Sequence, residues 1–142
     1  MAEKFHISVD KTSRILRIRL WGFWSLNEAA SFKGRLTEAM DSLGIARPWN
    51  VIADVRMFPI QPKPVQNIHT GLMQRALQSG MIKSAGIVGG PLTRLQIEEL
   101  SGNAWPEKGH FKSFLNETDA EAWLREVNNG FSEGAEEVLQ AF

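Results

Sequence analysis

The chain has 142 residues, 43% hydrophobic and 23% charged. That fits one globular domain large enough to bury a core unaided, and excludes a disordered or membrane-embedded chain. Sixteen Lys and Arg balance sixteen Asp and Glu, so no global field draws in nucleic acid or an anionic surface, and the absence of Cys removes disulfides, thiolate nucleophiles and sulfur-ligated zinc together.

The opening MAEKFHISVDK lacks the apolar run of a signal peptide, and no window approaches the ~18 apolar residues of a spanning helix, so a cytoplasmic setting is expected. KFHISVD alternates Phe5, Ile7 and Val9 with His6, Ser8 and Asp10, the period of a half-buried strand. RILRIRLWG alternates again, setting Leu16, Ile18 and Leu20 against Arg17, Arg19 and Trp21, and the two runs are expected to pair as a hairpin. Ser25 and Glu28 stand at capping-box spacing before a helix predicted over Leu26 to Leu43. Its apolar stripe is Ala29, Phe32, Leu36, Ala39, Met40 and Leu43, and Gly44 ends it. VIADV then reads as a strand buried on both faces.

The loop DVRMFPIQPKPVQ leads from that strand into a helix where Val65, Ile68, Leu72, Met73 and Ala76 recur as far as Gly80. Each of its three prolines fixes its own φ, and Pro62 and Pro64 push Gln61 and Lys63 towards extended geometry. The loop is thus expected to hold its shape without many hydrogen bonds, with Pro64 suited to the first helical turn. SAGIVGG is another buried strand, Pro91 opens a helix from Leu92 to about Asn103, and FKSFL is a last strand. Asn116 or Thr118 caps a helix with Ala120, Trp123, Leu124 and Val127 facing inward. Residues 1–128 are read as one domain and 129–142 as a tail in which EEVLQAF forms a short helix. A hairpin followed by β-α units predicts an α/β domain whose mostly parallel sheet carries one antiparallel N-terminal edge strand.

This order, with NVIADVRMFPIQPKPVQNIHTGLMQRALQSGMIKSAGIVGGPLTRLQIEEL and FKSFLNETDAEAWL, resembles the SpoIIAA-like branch of STAS domains from about Phe5 to Arg125. The resemblance implies four or five strands, about four helices mainly on one face, and a role in binding rather than catalysis. In anti-sigma factor antagonists of this family the loop after the central strand carries a D-S-[ST]-G motif whose hydroxyl is phosphorylated by a partner kinase. Here that region is Met57 to Pro64, and no Ser or Thr occurs between Ser42 and Thr70. No phosphorylation site is therefore expected in the 55–69 loop, and the antagonist function is not carried over.

Catalysis requires a nucleophile or a matched acid and base within hydrogen-bond reach, and the candidates near the strand ends are Asp54, Arg56 and His69. Pairing of Asp54 with Arg56 is not assumed, because strand neighbours point to opposite faces. The plainer reading of Asp54 is an acceptor capping nearby backbone. His69 falls at the margin of a helical apolar face and reads as a structural histidine, and no HxH, HExxH or acidic cluster gives metal-ligand spacing. No metal and no cofactor are expected. In VGGPLTR, Gly89 and Gly90 before a helix start offer N-H groups to an anion, with Arg94 nearby, but neither phosphate-loop motif is present and a tight strand-to-helix turn is the plainer reason for the glycines.

WGFW puts Trp21, Phe23 and Trp24 at the end of the second strand; Phe58 lies beyond the third, Gly89 and Gly90 beyond the fourth, and Leu115 at the end of the fifth. In a parallel sheet those ends share one edge, where open α/β folds place ligands. The leading expectation is a non-enzymatic domain that binds a protein or a small apolar or anionic ligand there, through Trp24, Asp54, Arg56, Phe58, Lys63, Gly89, Gly90 and Arg94. Covering the end of the core is the plainer use of those aromatics. The alternatives are a small hydrolase or transferase using Asp54 or His69 with a bound cofactor, which needs both side chains to converge in a polar pocket, and a structural homodimer with a docked or exchanged tail.

Overall fold

The computed structural model describes residues 3–44, 48–107 and 109–126. The elements follow as β1 (Phe5–Asp10), β2 (Ile15–Trp21), α1 (Leu26–Leu43), β3 (Trp49–Met57), α2 (Lys63–Gln78), β4 (Met81–Ile87), α3 (Pro91–Ala104) and β5 (Phe111–Phe114), and residues 117–126 form a fourth helix, α4. The strands lie in the order β1-β2-β3-β4-β5. β1 pairs antiparallel with β2, and every later neighbour is parallel. This is the predicted edge strand and parallel sheet, with the carboxyl ends of β2, β3, β4 and β5 on one side.

Local chemistry sets the element ends. The Ser25 hydroxyl accepts from the Glu28 N-H and the Glu28 carboxylate accepts from the Ser25 N-H, so both halves of the capping box form. Gly44 closes α1 with a φ of 70°, a left-handed value that a side chain disfavours. Pro64 lies in the first turn of α2, where its missing N-H has no helical acceptor to lose. Asn116 caps α4 by accepting from the Asp119 N-H at 2.8 Å.

Strand alternation sorts the two faces. Leu16 and Leu20 of β2 and Val51, Ala53 and Val55 of β3 pack beneath the stripes of α1, α2 and α3 in the main core. The opposite face carries Ile15, Ile52, Ala85 and Ile87, which are covered by Ala120 and Leu124 of α4. Arg17, on that same face, reaches Glu117 and Glu121 and fixes the helix against the sheet. Three helices thus share one face and the fourth takes the other. Val127 and the tail 129–142 lie outside the described residues; among the described residues, no helix is long and apolar enough to cross a membrane.

Candidate functional site

The loop between β3 and α2 is tied down by side-chain amides. Gln61 is buried; its Oε1 accepts from the Trp24 N-H at 2.9 Å, and its Nε2 donates to the carbonyls of Gly22 and Pro59. The Gln61 N-H donates to Oε1 of buried Gln96, whose own Nε2 donates to the Pro59 carbonyl. Gln66 Nε2 donates to the Gln61 carbonyl. The expectation of few hydrogen bonds is therefore corrected: the prolines set the backbone, but two buried amides clamp the loop to β2 and α3. In a protein interior such groups must be satisfied, and here each glutamine satisfies a loop backbone that no sheet or helix pairs.

Two expected contact residues are core residues. Trp24 and Phe58 are each 3% exposed, and with Phe5, Phe32 and His69 they form an aromatic cluster with ring centroids 5.1–6.0 Å apart. The Trp24 indole N-H donates to the Trp21 carbonyl. Both rings close the end of the core, so neither is free to grip a ligand at the rim. The rim is formed by their neighbours instead: Phe23 is 65% exposed and Met57 74%, and Leu26, Ile60, Leu92, Leu95 and Leu115 are exposed with them. All seven lie at or after the carboxyl ends of β2, β3, β4 or β5. Phe23 and Leu115 were expected at this edge; Leu92 and Leu95 were missed, Leu95 because it falls off the inward stripe of Gln96, Leu100 and Ala104, and Leu92 because it continues that spacing yet lies in the first turn of α3.

The charged residues form a separate group on the α4 side. Arg56 Nη2 and Nε reach the two oxygens of Asp54 at 2.7 and 3.0 Å, a bidentate pair, and Arg19 Nε lies 3.8 Å from the same carboxylate. Setting this pair aside was an error of register, since residues 54 and 56 are two apart and alternation puts them on one face. Partial burial pushes the Asp54 carboxyl up, but the bonds and charge of Arg56, with Arg19 behind it, outweigh this and hold it below its ordinary value. Asp54 and Arg19 border an open groove of about 450 Å³ that His6, Ser8, Arg17 and Glu117 also line.

His69 lies in α2 within the main core and not at the margin of its helix face; it is 6% exposed, and burial lowers its pKa to about 4. Asp54 and His69 therefore sit on opposite faces of the sheet, which removes the acid-base pair that a hydrolase or transferase reading requires. Gly89 has a packing reason: a side chain's first carbon there would lie 3.1 Å from the Arg56 carbonyl oxygen. Gly90 is extended, with a φ of −178°, and open space surrounds it, so the turn does not need glycine at that position. Arg94 bonds Glu98 one turn later at 2.9 Å, which compensates the cation expected at the anion turn. Lys63 opens α2 and is exposed.

No family model matches the chain, and no curated protein does. Solved structures do. An uncharacterised protein with a SpoIIAA-like fold from Shewanella loihica superposes with a TM-score of 0.66 at 19% identity, covering 84% of this chain and 93% of its own. The anti-sigma factor antagonist SpoIIAA in its unphosphorylated form gives 0.60 at 17% identity, covering 86% and 96%. An anti-sigma factor antagonist from Mycobacterium paratuberculosis gives 0.59 at 12% identity, covering 88% and 97%. The superpositions span nearly the whole length of each of these neighbours, and the chain has the SpoIIAA-like fold.

Proposed function

We propose that this protein is a non-enzymatic binding domain that docks a protein partner on the carboxyl edge of its sheet. One observation carries the reading. Eight large apolar side chains are exposed among the described residues, and seven of them, all but Leu77, gather at that edge. Single exposed apolar residues are ordinary, but a concentration at one end of a fold marks an interaction surface. Among the rim residues, Ile60 stands on the loop that Gln61 and Gln96 clamp, and Phe23 lies between Gly22 and Trp24, which Gln61 also bonds, so little ordering remains there to oppose binding. Exposed Arg56 and Lys63 supply a polar border. The structural neighbours named as anti-sigma factor antagonists support a protein rather than a small anion as the partner. With no hydroxyl from 43 to 69, we do not expect phosphorylation of the loop to regulate docking.

Photo-crosslinking tests this. A crosslinking side chain placed at Ile60 or Leu92 is expected to trap one partner protein in cells, whereas the same group at Leu77, at the far end of α2, traps none. Equal trapping at all three positions, or at none, would refute an edge-specific partner.

A further inference from the structure

Between the inner face of the sheet and α1, α2 and α3 lies a cavity of about 70 Å³. Its walls are almost wholly apolar, among them Val55, Phe58, Leu72 and Ile97, and the polar side chains that reach it are His69, Ser84 and Gln96. The Gln96 amide is committed to the 58–61 loop. His69 is different: its Nε2 is buried and has no hydrogen-bond partner among the described residues. An unpaired polar atom beside an unfilled space is costly in a folded core, and buried polar groups are otherwise satisfied almost without exception.

Water fits this space poorly. One water needs only ~10–15 Å³ by this kind of measure but two to four polar partners, so a single molecule leaves most of the volume empty and a cluster faces apolar walls. An organic guest with an apolar body and one polar edge satisfies both the walls and the nitrogen. The volume is about half that of an engineered ~150 Å³ cavity that takes benzene, which sets an upper size.

We propose that this cavity is a binding site for a small neutral molecule, smaller than benzene, whose single polar edge hydrogen-bonds His69 Nε2. Neutrality follows from the walls, since no charged side chain lines the cavity to compensate an ion. The imidazole itself stays uncharged near neutral pH because burial lowers its pKa. The site lies in the core, apart from the carboxyl edge, and does not depend on the partner proposed there.

Pyrazole and furan test this, being rings of the same size of which only pyrazole offers an N-H donor together with a strong acceptor. Titrated into the full chain and followed by methyl and imidazole ¹⁵N NMR, pyrazole is expected to shift the Leu72 and Ile97 methyls saturably and to move the His69 ring signal. Furan is expected to bind at least tenfold more weakly, and His69→Leu to abolish that preference. Should the variant not fold, the ¹⁵N shift in the unaltered protein still reports contact with the ring. Equal binding of the two probes, or no saturable shift with either, would overturn the proposal, as would water-to-Leu72 contacts that persist unchanged at high pyrazole.

Discussion

Folding moves the His69 imidazole from water into a setting of Trp24, Phe32 and Phe58 rings, and that transfer disfavours its charged form. The folded value of about 4 lies below the ordinary 6.5, so between these values the unfolded chain binds more protons than the folded one. Stability is then complete above about pH 6.5 and falls as pH drops towards 4, by about 3 kcal/mol over the window. Urea unfolding at pH 7.5 and 4.5 should show this loss in the parent and not in His69→Phe. Asp10, Asp54, Glu28 and Glu98 are held below their usual values and lose their contributions lower down, so the difference between the two proteins isolates the histidine. Gln61 gives a second test. Gln61→Ala leaves the Trp24 N-H and the Gly22 carbonyl without partners and should cost about 2–4 kcal/mol by the same urea assay, with a rise in hydrogen exchange at Trp24. The sequence carried the first role in part, since His69 reads as structural but not as deeply buried, and the second not at all. His69 continues the stripe of Val65, Leu72 and Ala76, and its depth depends on α1 and the 58–62 loop closing over it. Gln61 lies between prolines in a loop of apolar residues and one lysine, and its partners Trp24 and Gln96 are 37 and 35 residues away, a separation that no local pattern encodes.

The elements were far more legible than their side-chain roles, because each is set by short-range chemistry: the Ser25-Glu28 box, alternation in β1 and β2, and prolines in the first turns of α2 and α3. What local pattern could not assign was the face each helix covers. Three helices share one face, as the resemblance implied, and α4 takes the other. Ile15, Ile52, Ala85 and Ile87 build a second apolar face for it across β2, β3 and β4, and Arg17 supplies a cation for Glu117 and Glu121. Packing is expected to dominate over these partly exposed ion pairs, which are worth little individually. Leu124→Ala, at a position with no exposed surface, should cost about 2–5 kcal/mol, whereas Arg17→Met should cost under ~1 kcal/mol. Thermal unfolding of the two variants checks the order, and the reverse ranking would mean that charge rather than burial holds α4.

At the scale of the molecule, one edge of the sheet does two things that its sequence runs together. Aromatic and apolar residues arrive there in the adjoining pairs Phe23-Trp24 and Met57-Phe58, and in each pair one member is exposed while the other is buried. Composition alone shows only that the edge is apolar; the division follows from alternation through the strand end into a loop whose path Gln61 fixes. The inward members close the core, so Trp24→Ala and Phe58→Ala should lower stability by about 3–5 kcal/mol and would reduce any binding merely by unfolding the protein. The outward members are the proper probes. A variant combining Phe23→Ser, Ile60→Gln and Leu115→Gln should keep its unfolding midpoint within a few degrees of the parent, because exposed positions change stability by only about 0.5 kcal/mol each. It should at the same time lose most of the partner trapping from Leu92, since these side chains belong to the same surface. Full stability with undiminished trapping would place the partner elsewhere. A large fall in stability would show that the exposed members also support the fold, and that its end has no surface reserved for binding.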